Sequence, residues 1–252
     1  MLAFAADSAY FAGHFPGRPI LPGVLQLMLV LQALEHDGGG QPAELRKIVF
    51  ARLRQPVLPG EHVQLISRQR APGRTRFELT RDGVIVSNGE LLLGSLGNTQ
   101  LRSSVIPAAG PVAALPPLDV LLPHRAPMRL ITSIAAERAD GLDCLARVSA
   151  ECALVRNGRA CVVAGIEAAA QAAAAWEALR RWRVSDDTGP RIGYLVAMRD
   201  VEFFAQAIPA EYTFAVRVCL ETATPPLTYY RFAVSLDGQA LAQGLFGTFL
   251  VS

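Results

Sequence analysis

Two hydrophobic periodicities run along this chain, and they recur in the same order. From Gly23 to about His36 the residues are apolar nearly all round, with Val24, Leu25, Leu27, Met28, Leu29, Val30, Leu31 and Leu34. A helix without a polar face is buried on most sides. Pro22-Gly23 opens it, because the N–H that proline lacks would be unpaired in a first helical turn anyway, and Gly38-Gly39-Gly40 ends it. Ahead of the helix, Leu2 to Ala6 reads as one short strand. Behind it the pattern predicts strands at Arg46–Leu53, His62–Gln69, Thr75–Arg81 and Val84–Gly94, with turns at Pro59-Gly60 and Asp82-Gly83. Asp-Gly between two strand-like runs is a hairpin signal.

Residues 106–117 carry four prolines and no charge, which predicts a linker. Beyond it the order returns. Strands are predicted at Leu130–Ala136 and Gly141–Val148, then an alanine-rich buried helix from Gly165 to Arg183. Further strands follow at Ile192–Phe204, Tyr212–Glu221, Thr228–Leu236 and Ala240–Leu250, with Asp237-Gly238 between the last two. The chain therefore reads as an internal repeat of about 110–135 residues, each copy a buried helix with an antiparallel meander, an α+β pattern. The expected division is 1–105, a linker at 106–117, and 118–252. The first copy has 21 residues before Pro22, against about 47 between the linker and the second helix. It is expected to lack a strand and a short helix, unless the true start lies upstream.

Composition narrows the function classes. The 252 residues are 51% hydrophobic and 18% charged, enough apolar material for a sizeable core, and the net charge of +2 gives no argument for nucleic acid. Cys144, Cys152, Cys161 and Cys219 show no C-x-x-C spacing and suit reduced, mostly buried thiols. The first positive side chain is Arg18 and no basic n-region followed by an apolar core opens the chain, so no secretory leader is expected, and the apolar run Leu27 to Leu31 is far too short to span a bilayer. A cytoplasmic protein is expected.

The stretch from Tyr10 to Leu25 holds the candidate chemistry. His14 sits in a loop stiffened by Pro16, Pro19 and Pro22, directly before the N-terminus of a buried helix. That terminus offers unpaired N–H groups and a positive dipole end, so a histidine delivered there is a candidate acid–base group. The blander reading is a turn-rich loop with an incidental histidine.

His14-Phe15-Pro16-Gly17-x-Pro19-x-x-Pro22-Gly23-Val24-Leu25 resembles the motif of hot-dog-fold 3-hydroxyacyl-[acyl-carrier-protein] dehydratases of type II fatty-acid synthesis, and Leu53 to Glu61 resembles that family's strand after the central helix. In the second half, Leu121-Leu122-Pro123-His124-Arg125-x-Pro127-Met128 resembles the family's N-terminal segment. Gly165-Ile166-Glu167-x-x-x-Gln171-Ala172 resembles the start of its central helix. With Gly193 to Asp200, the second half is most similar to dehydratase-like proteins of aryl-polyene pigment clusters, and the first half to their companion dehydratase. The resemblance implies a tandem hot dog, two antiparallel sheets each wrapped round a long helix and joined edge to edge. It places each active site at that joint, with a histidine from one copy and a helix carboxylate from the other.

The departures from that pattern are informative. The family's carboxylate follows the histidine by fourteen positions, which lands here on Met28, while Gln32 four further on is kept. In the second half Glu167 and Gln171 are both present, on one helix face, but Cys152 to Gly165 contains no histidine. Each half lacks what the other has. One complete site follows from His14 and Glu167, provided that they lie within about 8 Å, the span one small substrate can bridge by hydrogen bonds. The resemblance implies dehydration of a carrier-bound 3-hydroxyacyl thioester to the enoyl thioester. His14 would be the base and Glu167, its pKa raised in an alanine-lined groove, the acid. Gln171 would orient Glu167 and the Gly23 N–H would face the thioester oxygen, with Phe15, Pro22 and Met28 against the substrate. No metal or organic cofactor is implied, since phosphopantetheine arrives on the acyl carrier protein. Arg18, Arg52 and Arg54 would meet the carrier's acidic face. A ketosynthase or ketoreductase of the same pathway and a second copy of the chain are the other expected partners.

Competing readings stand beside these. Glu167 is alternatively a structural carboxylate paired with an arginine. His124 reads as structural, because its segment is not catalytic in the resembling family. Glu35 reads as a solvated helix end, or as a substitute for the missing acid in another register. His36 and His62 read as surface, and the cysteines as core. The rival functions are thioester hydrolysis and a non-catalytic partner that binds acyl chains or carrier protein.

Overall fold

The computed structural model describes residues 2–38, 43–96, 115–184 and 191–250. The first half holds β1 (Leu2–Ala3), a 3-10 turn at Ala9–Phe11, α1 (Gly23–Asp37), β2 (Leu45–Leu53), β3 (His62–Ala71), β4 (Arg74–Arg81) and β5 (Val84–Leu93). The second holds α2 (Leu118–Leu121), β6 (Ile131–Arg138), β7 (Gly141–Arg147), β8 (Val155–Arg156), β9 (Arg159–Cys161) and α3 (Ala164–Val184). It continues with β10 (Gly193–Phe203), β11 (Ala207–Pro209), β12 (Thr213–Thr224), β13 (Leu227–Leu236) and β14 (Gln239–Leu250). Most of the expected linker, residues 106–114, lies outside the described residues, and Pro117 serves as N-cap of α2.

Eleven strands form one sheet in the order β1-β3-β4-β5-β2-β10-β14-β13-β12-β7-β6. Reading outward from the middle, β2-β5-β4-β3 on one side mirrors β10-β14-β13-β12 on the other. The seam is the antiparallel pair β2–β10, with Ala51 opposite Met198 and Phe50 opposite Arg199. This is a double hot dog, α1 and α3 being the equivalent helices. Beyond β12 the second copy adds β7 and β6, where the first has only Leu2 and Ala3 paired with Val63 and His62.

Local chemistry accounts for the elements. Asp82-Gly83 and Asp237-Gly238 both carry positive φ, the backbone that a two-residue hairpin turn requires. Val24, Leu25, Leu27 and Val30 of α1 are at most 1% exposed, as expected for a helix with no polar face. On α3 the alanines 168, 169, 172, 173 and 175 are equally closed off, so small side chains let the helix lie close on β7, β12, β13 and β14. A separate three-stranded sheet, β11-β9-β8, was not predicted. Its hairpin turns on Asn157-Gly158, both at positive φ.

Candidate active site

His14 is held by its loop from several sides. Its N–H bonds to the Phe11 carbonyl, and the Leu21 N–H further on bonds to the Val57 carbonyl. The ring is 6% exposed, and Nδ1 lies 2.9 Å from the Ile20 carbonyl oxygen. A carbonyl only accepts, so Nδ1 carries the proton and Nε2 presents a lone pair. Burial lowers the ring's pKa to about 4 against the opposing hydrogen bond to Ile20, so at neutral pH His14 is an uncharged base.

Glu167 occupies the first turn of α3, 4% exposed. Burial pushes its carboxyl up to about 7, with the Gln171 hydrogen bond pulling the other way. Gln171, expected to orient Glu167, is held by hydrogen bonds at both amide atoms. Its Oε1 accepts from the N–H groups of Leu130 (2.8 Å) and Ile131 (3.4 Å), which assigns the amide orientation. Its Nε2 then donates to the Met128 carbonyl (2.8 Å) and to Glu167 Oε1 (3.0 Å). Glu167 meets this amide and a histidine rather than the arginine of the structural reading.

That histidine is His124, which the sequence reading takes as structural and the structure places beside the candidate acid. His124 is 5% exposed, with Nε2 3.4 Å from Glu167 Oε1 and its ring 5.4 Å from that of His14. Polar atoms of His14, His124 and Glu167 all lie within 4.8 Å of one another. The expected span of about 8 Å for His14 and Glu167 is met with room to spare. The two loops are stitched together: the Arg125 N–H bonds to the Gly13 carbonyl at 2.9 Å. Gly13 has φ +75°, and a Cβ there would sit 2.1 Å from the Arg125 carbonyl oxygen, so only glycine permits this approach. The signal in the sequence was Pro123-His124-Arg125-x-Pro127, a second proline-stiffened histidine loop.

These groups face a cavity of about 530 Å³ that reaches from Arg54 and Pro123 along the Ala170–Ala174 face of α3 to Glu177 and Tyr230. The other expected residues divide. Phe15 and Gly23 line the cavity. Gly23 opens α1, where its N–H has no acceptor within the helix, and a Cβ there would come within 2.2 Å of Leu53 Cδ1. Pro22 is the N-cap of α1 and is not on the wall. Met28 is corrected: it is 4% exposed, packed in the core cluster, and not on the wall, because α1 turns its middle inward while the loop before it meets α3. Of the three arginines expected to meet the carrier, Arg54 borders the cavity. Glu35 accepts from the Ala43 N–H and stands off the wall, so it does not replace the acid. His36 and His62 are exposed; Cys144 and Cys152 are buried but Cys161 and Cys219 only partly so. Gln26, unassigned in the sequence, borders the cavity with Oε1 buried and without a hydrogen-bond partner among the described residues. No helix among the described residues is long and apolar enough to cross a membrane.

Comparison with known proteins bears on the whole chain. Residues 116–251 match the ApeP dehydratase model, and residues 1–90 match the ApeI dehydratase model. The 3-hydroxyacyl-[acyl-carrier-protein] dehydratase FabZ of Herpetosiphon aurantiacus is 38% identical over 100 residues, 34% of this chain and 68% of that protein. FabZ of Myxococcus xanthus is 37% identical over 98 residues, 34% of this chain and 64% of its own length. FabZ of Haemophilus influenzae is 42% identical over 92 residues, 32% of this chain, which spans little more than half of that relative, 58%. Among solved structures, the dehydratase domain of RzxB from Pseudomonas fluorescens superposes with a TM-score of 0.72 at 15% identity, covering 98% of this chain and 92% of that one. The dehydratase heterocomplex ApeI:P from Xenorhabdus doucetiae gives 0.50 at 22% identity, over 55% of this chain and 93% of that one. These likenesses support the double hot dog. Its second half and linker-proximal residues being matched over more than half the chain, the protein belongs to the ApeP-like dehydratase family, with an ApeI-like N-terminal part.

Proposed function

We propose that this chain dehydrates 3-hydroxyacyl thioesters on an acyl carrier protein to trans-2-enoyl thioesters, at one composite site built from His14 and Glu167. The observation that carries the reading is the convergence, within 4.8 Å, of an uncharged imidazole and a carboxyl whose pKa is raised to about 7. Dehydration needs that pair: a base for the C2 proton and an acid for the departing C3 hydroxyl.

His14 Nε2 takes the proton from C2, and the electron pair left behind spreads onto the thioester oxygen. The Gly23 N–H, at the positive end of α1, stabilises that oxygen. The pair then returns to form the C2–C3 double bond as the C3–O bond breaks, and Glu167 gives its proton to the leaving hydroxyl, which departs as water. A proton passes from His14 back to Glu167 to reset the site. Oxidation state is unchanged throughout, and no cofactor enters the scheme beyond the phosphopantetheine on the carrier. A ketoreductase-type step would supply the 3-hydroxyacyl group. The expected setting is polyene pigment or fatty-acid-like synthesis, with the two copies divided at residues 1–105 and 118–252.

Incubation with a 3-hydroxyacyl carrier protein, followed by mass spectrometry of the carrier, tests the reading. An enoyl thioester lighter by one water is expected. A free acid and bare carrier would instead indicate thioester hydrolysis, and an unchanged but bound substrate a carrier-binding partner.

A further inference from the structure

Within the proposed dehydration, on whose reading this rests, we infer that His124 is a positioning residue: its Nε2–H donates to Glu167 Oε1 and so turns the other carboxyl oxygen, with the acid proton, toward the substrate.

The geometry of the shared oxygen carries the argument. Glu167 Oε1 already accepts from Gln171 Nε2, whose orientation the Leu130 and Ile131 N–H groups fix. His124 Nε2 approaches the same oxygen at 3.4 Å, a distance of the kind that shortens when a catalytic site closes on its ligand. Two donors on Oε1 leave Oε2 to hold the proton that goes to the leaving hydroxyl. Once that proton has gone, the same donors stabilise the carboxylate that remains.

The tautomer follows from the other ring nitrogen. Nδ1 of His124 is buried and has no hydrogen-bond partner among the described residues. A proton there would be a buried orphan donor, whereas a bare lone pair is the lesser penalty. The backbone leaves the ring little freedom: Arg125 Nη1 donates to the carbonyls of Leu122 and His124, both at 2.8 Å, and Arg125 N–H binds Gly13. Phe15 packs on the ring at 4.9 Å between centroids.

The titratable groups around the pair are few. His14 faces it from the loop before α1, Arg125 from the His124 loop itself, and Cys152 from the turn after β7, where burial chiefly, and Glu167 to a lesser degree, raise the thiol's pKa. Burial, His14 and Arg125, in that order, hold His124 well below the usual histidine range, so it acts as a neutral donor.

The test uses His124→Phe, which keeps bulk and removes the donor, and His124→Gln, whose amide nitrogen replaces Nε2. Loss of one hydrogen bond to a charge-bearing group predicts a fall in kcat of about 10- to 100-fold for His124→Phe, with KM little changed. Its alkaline pH limb should also move upward, since Glu167 has lost a stabiliser of its ionised form. His124→Gln should recover most of the rate and the wild-type limb. A fall with an unmoved limb, or equal losses in both variants, overturns the assignment. Should His124→Phe fail to fold, ¹⁵N-histidine NMR of the wild-type chain decides independently of turnover: the Nε2–H tautomer is required, and Nδ1–H overturns it. Wild-type protein that dehydrates nothing would instead count against the underlying reaction.

Discussion

His14 and Glu167 come from opposite halves of the chain, yet their polar atoms meet within 4.8 Å across the joint beside the β2–β10 seam. The two halves are therefore not interchangeable copies. One contributes the loop that carries His14, the other the helix that carries Glu167, and the mirrored sheet order is what brings them face to face.

The rate should depend on pH as a bell. His14 must be neutral and titrates at about 4; Glu167 must be protonated and titrates at about 7. Activity is expected to rise through the first value and fall through the second. A kcat/KM profile of the wild type checks this, since that ratio reports the free enzyme. A profile flat from pH 5 to pH 9 would contradict these roles.

Stability should carry the mark of the same groups. The fold favours neutral Glu167, so its contribution is full below the exposed value of 4.5 and is lost as pH rises through about 7. The whole effect is about 3 kcal/mol at 1.36 kcal/mol per unit. His14 behaves oppositely: its contribution is present above 6.5 and is lost as pH falls through about 4. Thermal melts of Glu167→Gln should therefore gain on the wild type between pH 5 and pH 8. Parallel melting curves across that window would count against a buried, protonated carboxyl.

Gly13→Ala should damage both stability and catalysis. The added Cβ would lie 2.1 Å from the Arg125 carbonyl oxygen at a backbone φ of +75°, so the His14 and His124 loops must separate. A penalty of at least about 1–3 kcal/mol is expected, seen as a Tm lower by several degrees, with activity down about tenfold or more. An unchanged Tm would show that the loops do not approach this closely.

Gln171→Leu should cost about 2–4 kcal/mol, because it leaves the Leu130 N–H and the Met128 carbonyl buried without partners. The alkaline limb should rise with it, since the Gln171 hydrogen bond holds Glu167 down. Denaturant melts and the pH profile read the two effects separately.

Much of this was legible in the sequence because it rests on short-range rules. An all-apolar helix, Asp-Gly hairpins and a proline-stiffened histidine loop each declare themselves within about a dozen residues. The complementary losses at Met28 and in Cys152–Gly165 even pointed to a site shared between halves. The hairpin at Asn157-Gly158 carried an equally strong turn signal, but its strands of two and three residues are too short to show alternation. His124 escaped for a different reason. Pro123 and Pro127 mark its loop, but its place beside Glu167 depends on the loop of Gly13 folding against it from more than a hundred residues away. Met28 misled because a site that takes its histidine from one copy and its helix carboxylate from the other leaves the α1 position to the reciprocal joint, and Met28 packs in the core instead.

The most direct test of the composite site is turnover of a 3-hydroxyacyl carrier protein by wild type, His14→Ala, Glu167→Gln, and an equimolar mixture of the two variants, read by mass spectrometry. The account predicts loss of one water mass with wild type, at least about 100-fold less with each variant, and no recovery in the mixture, because both groups belong to one chain. Undiminished dehydration by either variant, or restored turnover in the mixture, would contradict it.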